Sequence, residues 1–148
     1  MADVETVVVP GWPRPRGYAN AMRTAGRGER TLYVAGQIGW VVSEHAPEGV
    51  FTTDDLAQQF GLALENVLTV VRAAGGDASS VARLTVYVTN LPAYRAGLAA
   101  IGAAYRAAMG KHYPAMALLG VAGLVEPRAL VEIEAVAILP PPAPTNER

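Results

Sequence analysis

The stretch Leu130-Val131-Glu132-Ile133-Glu134-Ala135-Val136-Ala137, residues 130–137, decides how the chain folds. Successive side chains of a strand point to opposite faces of a sheet, so the two glutamates project from one face and their apolar neighbours from the other. Two carboxylates inside an apolar strand are unusual. If their face is open to solvent, they are ordinary surface groups. If it lines a cleft, one of them has a raised pKa and acts as a general base on water.

The clearest helix lies upstream of this strand. It is predicted to start after Thr52 or Thr53, whose hydroxyl caps free N–H groups, while Asp54 and Asp55 oppose the positive end of the helix dipole. It stops at Gly75-Gly76. Its apolar stripe, spaced at three and four residues, consists of Leu56, Phe60, Ala63, Leu64, Val67, Val70, Val71 and Ala74.

The remaining elements are read from shorter patterns. A second helix opens at Asn90-Leu91-Pro92 and ends at Gly110, and residues 43–49 are predicted to form an exposed loop. Strands are predicted at residues 6–9, 18–24, 31–35, 80–89, 114–121 and 130–139.

This order of elements predicts the fold class. Strands, helix, strand, helix and two strands favour an α+β fold with two main helices packed on one face of a sheet. The length predicts a single domain over residues 1–148, with a core at about 5–139 and a disordered Pro-rich tail at 140–148.

Composition excludes several classes of function. Twelve basic against thirteen acidic residues leave a net charge of -1 without a basic run, so we expect no nucleic-acid partner. The sequence has no cysteine, no signal-peptide pattern and no apolar run near the roughly 20 residues of a membrane helix, which predicts a cytoplasmic protein without a membrane partner. A hydrophobic fraction of 51% exceeds what one core needs and indicates a buried oligomer interface.

Common catalytic signatures do not occur in the sequence. It contains no Walker A loop, GxGxxG, HExxH or GxSxG motif. His45 and His112 lack neighbouring ligands, so no metal site is predicted.

Five motifs in a fixed order resemble the RidA/YjgF family of imine deaminases over about residues 16–138. They are Gly17-Tyr18, Gly36-Gln37-Ile38, Glu65-Asn66-Val67-Leu68, Thr85-Val86-Tyr87-Val88-Thr89 and Val131-Glu132-Ile133-Glu134-Ala135-Val136-Ala137. Each motif is weak alone, but their joint order and spacing are specific.

The resemblance implies a chorismate-mutase-like fold, a homotrimer with small-molecule clefts between subunits, and hydrolysis of enamines and imines without metal or cofactor. It also implies site residues. Glu132 matches the family's water-positioning glutamate, Tyr18 its ring-contacting tyrosine and Gly36 its backbone-contacting glycine. The backbone of Ala115 to Ala117 would supply donors or acceptors to the ligand.

The sequence departs from the family at one position. Where the family has the arginine that holds the substrate carboxylate, this chain has Met116, in Tyr113-Pro114-Ala115-Met116. Methionine packs against apolar groups but cannot anchor a carboxylate, so we expect a substrate without a carboxylate at the usual place. Arg128 is a poor replacement, because four residues of strand put it about 13 Å from Glu132.

Two other functions are alternatives to the deaminase. The cleft could hold a metabolite and regulate a partner without turnover, a hypothesis that the loss of the arginine favours. Ribonuclease activity, attached to some relatives, is opposed by the near-neutral charge and by the lack of a His/Lys constellation.

Overall fold

The computed structural model describes residues 3–144. These residues form eight strands, three α-helices and one 3₁₀ turn at Ala78–Ser80. The strands are β1 Val4–Thr6, β2 Ala21–Thr24, β3 Arg30–Ile38, β4 Val41–Ser43, β5 Ala46–Val50, β6 Val81–Val88, β7 Ala115–Gly120 and β8 Val131–Leu139. The helices are α1 Leu56–Ala73, α2 Leu91–Ala96 and α3 Leu98–Met109.

Six of the strands form one sheet in the order β1-β2-β3-β8-β6-β7. All neighbours are antiparallel except β6 and β7, which run parallel. The stripe of α1 and the buried side of α3 cover one face and close a single hydrophobic core against β3, β6 and β8. This arrangement confirms the predicted α+β class with two main helices on one face. No helix of residues 3–144 covers the opposite face of the sheet, which we call the open face.

The main helix differs from the prediction at its start. Its N-cap is Asp55, whose carboxylate accepts a 2.8 Å hydrogen bond from the backbone N–H of Gln58, rather than Thr52 or Thr53. The hydroxyl of Thr53 instead accepts from the N–H of Asp55 at 3.0 Å. The end agrees with the prediction, since Gly75 adopts φ +97° directly after the helix.

The second predicted helix is two helices. Asn90 caps α2 through a 2.9 Å bond from the N–H of Ala93, as the sequence suggested. The helix is interrupted at Gly97. Helical spacing in the sequence predicts that Leu98 shares one face with Ile101 and Tyr105, but Leu98 is 54% exposed. The buried side of α3 is formed by Ile101, Tyr105 and Met109.

Several strand boundaries also differ. β1 ends where the predicted strand at 6–9 begins, and β2 covers only the second half of 18–24. The predicted loop at 43–49 contains the β4–β5 hairpin instead, with Gly49 at φ +75° against the ring of Trp40. In the tail, residues 140–144 form no helix or strand, and residues 145–148 of the tail prediction lie outside the described residues.

Candidate functional site

The centre of the open face is made by β8 and its two neighbours. On β8, Val131, Ile133 and the later odd-numbered residues enter the core, so Glu132 and Glu134 point to the open face. The antiparallel register places Tyr87 directly beside Glu132 and Thr85 directly beside Glu134. The prediction that the two carboxylates project from the same face of the sheet is therefore confirmed.

A β-bulge in β3 shapes the site on the other side of β8. Val34 pairs with Ala135 and Gln37 pairs with Ile133, so that two residues, Ala35 and Gly36, lie opposite Glu134 alone. Such bulges bend a strand locally and often occur beside active sites.

Gly36 and Glu132 are in direct contact at this bulge. A Cβ added to Gly36 would collide with Oε1 of Glu132 and would lie 2.8 Å from its carboxyl carbon. The carboxylate thus lies against the backbone of β3, where only a glycine leaves room for it.

The electrostatics distinguish the two glutamates. Burial raises the pKa of Glu132 above the ordinary 4.5, and the charge of Glu134 raises it further. Glu134 accepts a 2.8 Å hydrogen bond from the hydroxyl of Tyr87, whose own pKa is raised by that bond. Glu132 forms no hydrogen bond with any side chain or backbone group within residues 3–144. It is the glutamate with free acceptor capacity and raised basicity.

Two side-chain amides of α1 fix the strands that carry these groups. Asn66 of α1 donates to the carbonyls of Ile38 at 3.0 Å and Trp40 at 2.9 Å, which holds the end of β3 where Ile38 pairs with Glu132. Gln59, fully buried, donates to the carbonyls of Thr53 and Arg128 and accepts from the N–H of Leu130, each at 2.9 to 3.0 Å. It holds the entry into β8 two residues before Glu132.

Tyr18 lies near the bulge but lines a different cavity. The carbonyl of Asn20 accepts from the N–H of Ala35 at 2.9 Å, which brings the segment that carries Tyr18 alongside β3. The side chain of Tyr18 is 62% exposed and borders a cavity of about 280 Å³ together with Trp12 and Arg14. Glu132 does not line this cavity.

Ala115, Met116 and Ala117, the first three residues of β7, point to different faces of the sheet. The parallel register sets Ala115 beside Arg83 and Ala117 beside Thr85 on the open face. Ala117 is two strand spacings, about 10 Å, from Glu134. Met116 pairs with Leu84, so it belongs to the helix-covered face, at an edge where it stays 44% exposed. Met116 and Glu132 therefore lie on opposite faces of the sheet and cannot contact the same ligand within a single chain.

Arg128 is held away from the site. Its guanidinium binds Asp54 at 2.8 and 3.1 Å and lies 5.3 Å from the centre of the Phe51 ring. These contacts agree with the expectation that Arg128 is a poor substitute for the missing anchor.

The histidines have other positions. Nε2 of His112 lies 2.7 Å from the carbonyl of Val81, and the hydroxyl of Tyr105 donates to the carbonyl of His112. His45 is exposed in the β4–β5 connection. In the described part of the chain, no three His, Asp or Glu side chains come together as metal ligands. None of the helices within 3–144 has the length and apolarity to cross a membrane.

Sequence reasoning missed four polar residues around the site. Arg83, Thr85 and Tyr87 share one face of β6, and their alternation is visible in the sequence. The sequence does not show that β6 pairs with β8, because this pairing is a long-range contact. Gln59 was missed because it sits inside an apolar stripe, where only the structure shows its three partners.

Comparison with known proteins supports the family resemblance that the five sequence motifs indicated. The family model described as Endoribonuclease L-PSP matches residues 14–139. A human 2-iminobutanoate/2-iminopropanoate deaminase is 30% identical over 138 residues, which cover 93% of this chain and 90% of that protein.

Solved structures show the same fold. RidA from a Psychrobacter species superimposes with a TM-score of 0.71 and 27% identity, over 91% of this chain and 99% of that one. The YjgF gene product of E. coli gives 0.70 and 28% over 90% and 98%. The fold is chorismate-mutase-like, and the chain belongs to the RidA/YjgF family, whose model is described as Endoribonuclease L-PSP.

Proposed function

We propose that this protein is a hydrolytic deaminase of a small imine or enamine, with Glu132 as the general base. The observation that carries the proposal is the Glu132 carboxylate, packed against Gly36 in the bulge of β3, without a hydrogen-bond partner in residues 3–144 and with a raised pKa. The names of the relatives, imine deaminases at about 30% identity, support the same chemistry.

The reaction follows from one carboxylate and one water molecule. Glu132 takes a proton from water as the water oxygen attacks the carbon of the protonated imine, which gives a neutral carbinolamine. The protonated Glu132 then gives this proton to the nitrogen. The C–N bond breaks as Glu132 takes the proton of the carbinolamine hydroxyl, a ketone or aldehyde and ammonia leave, and Glu132 releases the proton to ammonia or solvent. A carboxyl with a raised pKa suits both steps, because it accepts and releases a proton closer to neutral pH than an ordinary glutamate.

Met116 directs the choice of substrate. Thioether and methyl groups pack on apolar atoms and offer no bidentate cation for a carboxylate. We infer that the substrate lacks a carboxylate at the position where 2-iminoacids carry one. Tyr18 flanks the ligand, and the backbone of Gly36 and of Ala115 to Ala117 contacts it.

A homotrimer with clefts between subunits is part of the proposal. Neither Glu132 nor Met116 lines the cavity that Tyr18 borders, and Met116 lies on the opposite face of the sheet from Glu132. The three residues can therefore line one site only if neighbouring subunits contribute them. The edge strand β7 supports assembly, because Met116 and Leu119 expose 44% and 46% of their surface on an uncharged strand. The cytoplasmic location remains a prediction from the cysteine-free sequence.

RNA cleavage is not proposed, although the family model is described as an endoribonuclease. The centre of the open face carries Glu132 and Glu134 against the single cation Arg83 among its described residues. Such a face repels a phosphate backbone.

A trapping assay tests the substrate class. An amino-acid oxidase generates 2-iminoacids, an amine oxidase generates imines without a carboxylate, and semicarbazide traps both. We expect the protein to lower semicarbazone formation from the carboxylate-free imines by about tenfold more than from 2-iminoacids, the worth of one charge-assisted bond. Equal effects on both, or an effect on 2-iminoacids alone, would overturn the role of Met116.

A second function is favoured by Met116 itself. If the missing arginine abolishes turnover, the cleft binds a metabolite and regulates a partner. Saturable binding of an imine analogue by calorimetry, with no product by mass spectrometry, identifies this case.

A further inference from the structure

The turn that ends β3 has a fixed place on helix α1. The side-chain amide of Asn66 binds the carbonyls on either side of Gly39, those of Ile38 and Trp40. Gly39 itself packs on the helix so closely that an added Cβ would lie 2.6 Å from the Cα atom of Gln59. The N–H of Trp40 closes the turn with a 2.9 Å bond to the carbonyl of Ile38. The end of β3 is therefore held by Asn66 and shaped to fit α1.

The amide of Asn66 binds β3 where its pairing with β8 stops. Ile38 is the last residue of β3 in the register, and its partner on β8 is Glu132. Beyond this pair the backbone needs other hydrogen-bond partners, because a buried carbonyl without one is costly. Asn66 is the side chain that supplies the donors at this point.

The bulge beside Glu132 depends on this anchor. The register gives Gly36 no residue of its own on β8 in the described part of the chain, and the pairing resumes only at Gln37. How closely the backbone of Gly36 lies against Glu132 is therefore set by the segments on either side of the bulge. Ile38 is two residues away, about 7 Å along a strand. A shift of Ile38 on release from Asn66 would move Gly36 with it.

The same helix also holds the strand that carries Glu132. Gln59 binds the entry into β8 through Leu130 and Arg128. Gln59 and Asn66 are seven residues apart on α1, which is about two turns or roughly 10.5 Å. One rigid helix thus fixes both strands that meet at Glu132. These contacts lie on the helix-covered side of the sheet and are made within one subunit.

We propose that Asn66 is a positioning residue for the general base, which holds the bulge of β3 against the carboxylate of Glu132 and so fixes the place of that carboxylate and its exclusion from solvent. Asn66 acts through the backbone of Ile38 and forms no hydrogen bond with Glu132 among the described residues. This role rests on the proposed function of Glu132 as the base, but its effect on the carboxylate is measurable without any substrate.

A carbon NMR titration of the glutamate carboxyls tests the role on the intact protein, with the Glu132 signal identified by its absence in Glu132→Gln. Asn66→Leu removes both donors at nearly constant volume and adds no charge. Burial is the main cause of the raised pKa of Glu132, so a bulge that moves away should lower this pKa toward 4.5. The charged and ionisable groups on the same face, Glu134 of β8 with Tyr87 and Arg83 of β6, are unchanged in the variant.

Val70→Ala is the control for lost stability. Val70 is fully buried one turn further along α1, so its truncation destabilises the core without changing either amide. Thermal unfolding measures the loss in each variant, and Asn66→Ala is a second choice if Asn66→Leu does not fold. We expect a lower pKa of Glu132 in the Asn66 variant and the wild-type pKa in Val70→Ala. The wild-type pKa in both would make Asn66 a residue of stability alone and overturn the proposal.

Imine hydrolysis gives a second measurement. Asn66→Leu should lower kcat by about tenfold or more with KM little changed, because a displaced Glu132 misplaces the attacking water rather than the substrate. A wild-type kcat in the folded variant would also overturn the proposal. If the wild-type protein hydrolyses no imine, the proposed function fails, and the NMR titration still decides whether Asn66 positions Glu132.

Discussion

Gly36 has no side chain because the carboxylate of Glu132 occupies the space where a Cβ would stand. Its glycine identity is therefore a matter of contact rather than of backbone conformation, since its φ is not in the left-handed region. A second glycine offers a contrast. A Cβ on Gly39 would lie 2.6 Å from the backbone of Gln59, which cannot move as a side chain can.

This difference predicts two outcomes for the same substitution. Gly36→Ala should keep the stability of the protein but lower kcat/KM by about 100-fold, because the carboxylate must shift by roughly 1 Å. Gly39→Ala should cost about 1–3 kcal/mol of stability through overpacking against the helix. Thermal unfolding and imine hydrolysis, measured on both variants, check this. Wild-type activity in Gly36→Ala would show that the position of the carboxylate does not matter.

The raised pKa of Glu132 predicts a gain of stability when the charge is removed. A carboxyl with a higher pKa in the folded than in the unfolded chain makes stability fall as the pH rises from 4.5 through the folded pKa. Glu132→Gln removes this loss, so the variant should be more stable than wild type at neutral pH. The difference should shrink when both are unfolded at a pH of about 4. A less stable variant at neutral pH would contradict the assigned burial and repulsion.

At the scale of single residues, the sequence predicted that Glu132 and Glu134 share a face, because alternation is a local property of a strand. It could not predict that Glu132 lies against Gly36 or that Tyr87 binds Glu134. Both contacts join residues that are far apart in the chain, and the β-bulge that brings Gly36 against Glu132 cannot be recognised from the alternation of side chains.

Among the elements, α1 was predicted well because its apolar stripe has a clear helical period. The β4–β5 hairpin was not, since Pro47 and Gly49 lie in a polar stretch typical of a loop. The hairpin is closed instead by a contact of Trp40 over Gly49, which no local pattern records. The division of α2 from α3 at Gly97 was missed for a similar reason, because the apolar spacing continues across it.

Gln59 connects α1 to β8, and its loss should be costly. Gln59→Leu keeps the volume but leaves the N–H of Leu130 and two carbonyls without their buried partner. We expect a loss of about 3–5 kcal/mol, measured by urea unfolding, whereas Gln58→Leu, at an exposed position of the same helix, should stay within about 0.5 kcal/mol. Similar losses in both variants would argue against the role of this amide.

For the whole molecule, the exposed edge strand β7 predicts the assembly. Light scattering should give the mass of three chains, and Leu119→Arg, which puts a charge on that edge, should reduce it to one. Leu98→Arg is the matched control, because Leu98 is similarly exposed on α3 at 54%. A monomeric wild-type protein would remove the shared cleft and with it the roles of Tyr18 and Met116.

The fold class and the family were predicted from the sequence because motif order and element order are properties of the whole chain. The composition of the open face was not, because it depends on which strands become neighbours. Arg83 illustrates the difference, since its place beside Val136 and diagonal to Glu134 comes from the pairing of β6 with β8.

The most direct test of the central claim is imine hydrolysis by wild type, Glu132→Gln and Glu65→Gln, followed by semicarbazide trapping of the imine that remains. Glu65 is an exposed glutamate of α1 paired with Arg72, so its variant makes the same chemical change away from the site. We predict that Glu132→Gln lowers the hydrolysis rate by about 10²- to 10⁴-fold, the usual contribution of a general base, and that Glu65→Gln matches wild type. Undiminished hydrolysis by a folded Glu132→Gln protein would contradict the assignment of Glu132 as the base.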